Sequence, residues 1–333
     1  MIKKLLVSLT ILTFSMISAQ GNYLDFDGIN DYVDIPNSGN AVANANAISM
    51  ICKVYPKSNT AGFPAFNGIM GYRNETNFDF YIIQLGGNQV EARFRNSAGT
   101  AYSITYNGMT LNQWNQLFLV YNGSTLKLYN GTTEVGSVAA SGSAPVSNTA
   151  TLKIGLIPFQ TYNWYHKGYI DEASLWNKAL SPTEISAIVS NSGVIANPAS
   201  ETNLKLYYKF DQGSAYGNNV GVTTLIDEKA TNNGTATNFA MTGTTSNWGG
   251  TILNTTDFGS NANYVYPNPT SGILYFSGYS EINAIKIIEI SGRTVLNKLI
   301  NGTNEVTMDV AELQSGIYVA IINDTQKIKF IKK

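Results

Sequence analysis

The sequence predicts an all-β protein built as two unequal sandwiches, and three observations carry that expectation. From Asn22 onward the chain runs as short apolar-patterned segments separated by Gly, Asn, Pro and Ser turns. Only 13% of its residues are charged, while 20 tyrosines and 30 glycines stand among abundant asparagine and threonine, a composition suited to pleated sheet and polar turns. Near residue 264 the pattern tightens into strict alternation, which marks a second, smaller unit.

The opening stretch MIKKLLVSLTILTFSMISAQ places Lys3 and Lys4 before an apolar run over 5–17, with Ser18 and Ala19 behind it. Residues 1–19 therefore read as a secretory signal peptide cleaved after Ala19. The run is shorter than the roughly 20 residues that span a bilayer, and Ser8, Thr10, Thr13 and Ser15 interrupt it. No transmembrane anchor is expected in the mature chain. Net charge is −1 with no Lys/Arg cluster outside the termini, so phosphate-backbone binding has no electrostatic footprint and nucleic acid is excluded as a partner. The single cysteine, Cys52, cannot form an internal disulfide, and its place in ISMICKVY predicts a small buried hydrophobe.

Between residues 22 and 190 the expected strands are YLDFDG, DYVDIP, ISMICKVYP, DFYIIQL, QVEARFR, YSITYNG, NQLFLVYNG, TLKLYNG, LKIGLI and GYIDEASLW. Asn122-Gly123 and Asn130-Gly131 predict type I′ hairpins, because both central residues of that turn need positive φ. One helix is expected in SPTEISAIVS, where Ser181 caps, Pro182 enters the first turn, Glu184 closes a capping box, and Ile185, Ile188 and Val189 form an apolar face. Trp114, Trp176 and Trp248 are assigned to packing. Many short strands at even spacing argue for a sandwich or jelly roll over 20–192. Residues 193–248, with the apolar LKLYYKF, are too few to bury a core alone and are expected to complete that sandwich or form a truncated second module. GGTILNTTDFGSNAN at 249–263 reads as a linker, and 264–333 as a compact antiparallel sandwich.

Two resemblances add to this reading. YPNPTSG at 266–272, ISGR at 290–293, LQSGIYV at 313–319 and the closing KIKFIKK resemble the type A sorting domain of the type IX secretion system of the Bacteroidota, a small immunoglobulin-like sandwich. Such tails are read by the type IX secretion machinery and removed after export, so the resemblance implies cargo passing through the periplasm to be released or attached at the outer surface. LDFDGINDYVDIPN at 24–37, QWNQLFLVYNGSTLKLYNG at 113–131, LKIG at 152–155 and GYIDEASLWNKALSPTEI at 168–185 resemble the laminin-G-like, concanavalin A-like jelly roll. That family usually carries a tryptophan in the strand read here as ISMICKVYP, and this chain has none there. The resemblance also implies a structural calcium ion at Asp27, Gly28 and Asp171, where an early strand meets a late one ending in aspartate.

Enzyme motifs are few. One histidine and one cysteine exclude His/Cys zinc clusters, and no GxSxG elbow or ExDxE run occurs. A glycosidase-like pair of carboxylates could still assemble from separate strands, Glu91 with Asp79 for example. The stronger lead is IPFQTYNWYHK, expected as a rim loop, where Phe159, Tyr162, Trp164, Tyr165 and His166 gather the ring faces and polar tips that suit sugars. Tyr72, Arg73 and Asn74, expected in a turn, are a second ligand-binding candidate. No catalytic residue is assigned. The expected role is an exported glycan-binding or adhesive surface module, with a glycoside-cleaving enzyme or a structural surface protein as the alternatives.

Overall fold

The computed structural model describes residues 21–57, 62–74, 78–147, 149–250, 264–289 and 291–333. The expected signal peptide lies outside these residues, as does the expected linker from residue 251 onward. The chain divides into two compact units, residues 1–252 and 253–333, each with its own hydrophobic core.

The first unit begins with β1 (Tyr23–Asp27), β2 (Tyr32–Ile35), β3 (Ile48–Pro56), β4 (Asn67–Asn74), β5 (Phe78–Gln84) and β6 (Gln89–Arg95). It continues through β7 (Ala101–Asn107), β8 (Asn115–Tyr121), β9 (Thr125–Asn130), β10 (Thr133–Ala139), β11 (Leu152–Ile154), β12 (Leu156–Phe159) and β13 (Tyr162–Tyr165). After β14 (Lys167–Trp176) come helix α1 (Pro182–Ser190), β15 (Leu204–Tyr208), β16 (Thr224–Leu225), β17 (Gly234–Thr237) and β18 (Asn247–Gly249). One sheet runs β10-β9-β8-β3-β14-β1-β18, with β15 also on β14, and the other runs β16-β17-β2-β11-β4-β5-β6-β7. Their facing sides enclose one core that includes Phe26, Cys52, Phe80, Phe94, Leu119 and Trp248. This is the two-layer jelly roll expected from the spacing of strands and turns. Residues 204–249 form no separate module: β15 and β18 pair with β14 and β1, while β17 pairs with β2. Gly249, placed in the linker by its composition, ends β18.

Local chemistry accounts for the edges of these elements. The capping box of Ser181 and Glu184 forms, with Pro182 in the first turn of α1. Its apolar face, Ile185 and Ile188, covers Ile51, Phe118, Trp176 and Tyr207 on the outside of the first sheet. Strand β3 is thus buried on both faces, which is why ISMICKVYP reads as a continuous apolar run. Both Asn-Gly turns occur, but only the glycines take positive φ (Gly123 91°, Gly131 59°), so neither is type I′. Asn122 instead accepts hydrogen bonds from the Ser124 and Thr125 amides at 3.1 and 2.8 Å, an Asx turn that keeps its own φ negative.

The second unit pairs β19 (Tyr264–Tyr266), β20 (Ile273–Ser277) and β23 (Val306–Asp309) in one sheet. Its other sheet takes the order β22 (Thr294–Thr303), β21 (Ile282–Glu289), β24 (Gly316–Ile322) and β25 (Gln326–Lys332). Alternation puts Leu274, Phe276, Ile285, Ile287, Ala320, Ile322 and Phe330 into a shared core. Among the described residues, no helix is long and apolar enough to cross a membrane.

Candidate functional site

The expected rim loop is a hairpin. β12 and β13 pair antiparallel, with Ile157 opposite Trp164 and Phe159 opposite Tyr162, and the hairpin folds over the outer face of the second sheet. Its seat is Gly68, where a Cβ would lie 2.3 Å from the Ile157 nitrogen and 2.4 Å from the Trp164 carbonyl. Trp164 and Ile157 close a small cluster with Tyr81 and Ile83, and Trp164 donates its Nε1–H to the Pro64 carbonyl at 3.0 Å.

This geometry corrects several expectations about ligand-binding residues. Trp164 is 4% exposed and His166 fully buried, so neither ring can meet a ligand. His166 packs edge-on to Phe26, and burial pushes its imidazole down to about 3. Tyr165 is half-buried, with its ring 6.5 Å from that of Tyr32 on β2. Tyr72, Arg73 and Asn74 lie in β4, not in a turn, and alternation turns Tyr72 into the core, where its hydroxyl donates to the Ser38 carbonyl at 2.9 Å. Tyr162 and Arg73 remain. The fold brings them together: Arg73 lies 4.3 Å from the Phe159 ring and 5.3 Å from the Trp164 ring, on the same hairpin that carries Tyr162.

Phe63, which sequence reasoning did not select, joins them. It is 59% exposed and Tyr162 38% exposed, with ring centroids 5.3 Å apart, so two large rings stand free beside the sheet. Its signal in the sequence was weak, one of two phenylalanines in the short stretch GFPAF.

Beside the rings, register builds a polar platform. One row crosses the strands as Lys153, Gly71, Tyr81, Arg93 and Ser103. Gly71 has φ 152°, and a Cβ there would lie 2.3 Å from the Cβ of Tyr81, so glycine permits the close approach of β4 to β5. Arg73 stands opposite Asp79 on β5. Asp79 Oδ2 accepts a hydrogen bond from Arg95 Nε at 2.9 Å, with Arg93 Nε 3.4 Å away. Tyr81 receives a hydrogen bond from Arg73 Nη1 and donates its own to Glu91, both at 2.8 Å. Burial, reinforced by the Glu91 charge, raises the Tyr81 phenol far above its ordinary range, so it stays a donor.

The carboxylate pair fails on distance. Ile83 stands opposite Glu91, so Asp79 and Glu91 are offset by four residues, roughly 13 Å along the strands. Glycosidase pairs sit about 5–10 Å apart.

The residues expected to share calcium do not fit it either. Asp27 stands opposite Lys167 in the β1–β14 register, so Asp171 lies four residues farther on, roughly 13 Å away. Both Asp171 oxygens are engaged, Oδ2 with Lys53 Nζ at 3.1 Å and Oδ1 with the Glu172 amide at 3.0 Å. The aliphatic stem of Lys167 also packs against Gly28. Among the described residues no group of three or more His, Cys, Asp or Glu side chains is arranged to hold a metal.

Two other surfaces of the first unit compare less well. Trp114, expected in the core, is half-buried just ahead of β8 and meets Tyr23 and Tyr55 on the outer face of the first sheet. There Lys57 Nζ sits 3.9 Å from the Tyr169 ring and Lys53 Nζ 5.1 Å from that of Trp114, so lysines occupy the ring faces. A groove of about 380 Å³ runs between α1 and residues 194–201, over Ile188 and Ile195. Its flanking charges, Lys178 and Glu184, neutralise one another.

Residues 27–186 match the family model of the concanavalin A-like lectin/glucanases superfamily, Laminin_G_3. Residues 264–333 match the secretion system C-terminal sorting domain. No curated protein matches the sequence. Among solved structures, a Bacteroides ovatus protein described as carbohydrate-binding is similar at 18% identity and TM-score 0.48, over 66% of this chain and 58% of its own length. The heptameric SAP-like pentraxin of Limulus polyphemus is similar at 13% identity and TM-score 0.41, over 53% of this chain and 84% of its own. The CBM40 of Ruminococcus gnavus IT-sialidase, bound to α2,3 sialyllactose, is similar at 12% identity and TM-score 0.41, over 51% of this chain and 99% of its own. Likeness at these levels says nothing of ligand. The matched segments show the chain to carry a laminin-G-like, concanavalin A-like jelly roll and a C-terminal sorting domain of the type IX secretion system.

Proposed function

We propose that the first unit is a glycan-binding module that works outside the cell, with the outer face of β4, β5 and β6 as its binding surface. The sorting domain marks the chain for export by the type IX system, to the cell surface or the medium. The observation that carries the reading is the exposed pair Phe63 and Tyr162 on the face that also presents Arg93 and Ser103, with the buried Tyr81 between β4 and β6 anchoring Arg73. Apolar ring faces stack on the CH faces of a sugar while hydroxyl and guanidinium groups fix its orientation.

Retention on a panel of insoluble and soluble polysaccharides tests this directly. The expected result is retention of the chain without release of reducing sugar, lost in the Phe63→Ala/Tyr162→Ala double variant with the melting temperature unchanged. Release of reducing sugar supports the glycoside-cleaving alternative, and absence of retention across the panel supports a structural surface protein.

A further inference from the structure

The binding surface carries more positive charge than it neutralises, and the excess is concentrated around one side chain. Arg73, Arg93 and Arg95 share the face with two carboxylates, Asp79 and Glu91. Arg95 takes Asp79 at 2.9 Å and is satisfied further by the Gly99 carbonyl at 3.0 Å. Glu91 is the acceptor of the Tyr81 hydroxyl. Among the described residues Arg73 donates to that same hydroxyl alone, and no carboxylate lies within ion-pair distance of it. Arg93 approaches Asp79 Oδ2 at 3.4 Å but donates no hydrogen bond among the described residues, and its Nε is buried without a partner. Two guanidinium forks on β4 and β6 therefore flank Tyr81 on β5 with donors left over. Among the described residues, three guanidinium charges stand against two carboxylates, one positive charge more than the acids there compensate.

Side chains so arranged cost stability in the empty protein, because guanidinium groups held on a sheet face with unused donors gain nothing in return. A planar carboxylate matches a guanidinium fork with two parallel hydrogen bonds, and such charge-assisted pairs are about twice as strong as neutral ones. Stacking against the Phe159 ring holds the Arg73 plane in place before any ligand arrives. The exposed rings of Phe63 and Tyr162 stand on the same hairpin side of the platform as Arg73.

From this we infer that the surface selects acidic saccharides, those with one carboxylate per sugar residue such as uronic acid polymers. Arg73 and Arg93 hold the carboxylate on either side of Tyr81, and Phe63 and Tyr162 stack on the neighbouring ring. One uncompensated charge suits a monoanionic sugar, whereas a polysulfate would bring several charges against Asp79 and Glu91 as well. The inference rests on the glycan-binding reading and deepens it.

Titration calorimetry of the purified chain with polygalacturonate, its methyl-esterified form and dextran sulfate provides the test. Esterification removes the charge and keeps the sugar ring. Polygalacturonate is expected to bind at least about tenfold more tightly than the ester, with affinity falling as salt rises. The Arg93→Gln variant should lose about tenfold more for the acid form than for the ester. Because Arg93 donates no hydrogen bond among the described residues, that variant should fold, and Arg73→Gln with the same readout is the second check. Equal binding of acid and ester, equal binding of dextran sulfate, or an unaffected Arg93→Gln variant would overturn the inference while leaving glycan binding standing. Failure of polygalacturonate to bind also overturns it, and the wider polysaccharide panel then decides the broader reading.

Discussion

The two outer faces of the jelly roll are built from the same kinds of side chain and end in opposite states. On the first sheet, Tyr23, Tyr55, Tyr169 and Trp114 gather as closely as the rings on the second, with Tyr55 and Tyr169 at 4.9 Å between centroids. Lysines close that group. Lys57 both covers Tyr169 and pairs with Asp25 at 3.0 Å, and α1 buries the rest of the face. On the second sheet the hairpin covers only β4 and part of β5, and it leaves Phe63, Tyr162 and the row on β6 open. The lesson is where the cation lies: on the second sheet Arg73 covers the inner rings Phe159 and Trp164 and leaves Phe63 and Tyr162 open, whereas on the first sheet lysines lie on Tyr169 and Trp114. A cross-strand neighbour decides this, not the number of rings.

The comparison can be broken most forcefully at the hairpin. Trp164→Ala removes the buried ring that seats it, and a loss of about 3–5 kcal/mol is expected, measured by urea unfolding together with loss of polysaccharide retention. If stability drops but retention persists, the hairpin is structural and the open face does not depend on it.

On the opposite face, Asp171→Ala strands the Lys53 charge, whose side chain is only 11% exposed. A loss of about 3 kcal/mol is expected, the same in millimolar calcium and in chelator, with retention unchanged. A calcium-dependent rise in melting temperature that this variant abolishes would restore the ion site that the register argues against.

A smaller effect should appear with pH. Burial raises Glu172 to about 8, Asp31 to about 7, and Asp25 and Asp171 to about 6. In the unfolded chain these groups titrate near pH 4. The folded state therefore takes up protons first on acidification, and stability should rise as pH falls from about 8.5 toward 6.5. His166 works the other way, because the unfolded chain protonates it near 6.5 and the folded state only near 3, so below pH 6.5 it offsets about one of these protons and makes the climb shallower without reversing it. Melting temperature should climb steeply from pH 8.5 to 6.5 and more gently from there toward 4.5, and Glu172→Gln should flatten the upper part of the climb. A flat profile above pH 6.5 would refute the buried-acid account.

Part of the site could be read directly from residue order. QVEARFR alternates strictly, and the structure buries Val90, Ala92 and Phe94 while presenting Glu91, Arg93 and Arg95, as period-2 patterning requires of a strand with one open face. The same logic applied to FDFYIIQ gives no such signal, because the hairpin covers its outer side as well. Within IPFQTYNWYHK, rings were found without their burial: Tyr162 shares a face of β13 with Trp164, yet Trp164 and His166 are buried while Tyr162, at the hairpin end, stays exposed.

What the sequence by itself determined was the all-β class, the two sandwiches, the capped helix and the sorting tail. Each depends on neighbours a few residues apart, on periodicity, caps and turn chemistry, which the chain states locally. What only the tertiary structure decided was which chemistry each face can perform. Arg73 and Arg93 meet around Tyr81 through the pairing of β4, β5 and β6, Phe63 reaches Tyr162 across about a hundred residues of chain, and Asp27 and Asp171 are held apart by the register of β1 on β14. Register is set by how whole strands bury their apolar sides against a shared core, a long-range balance that no local pattern encodes.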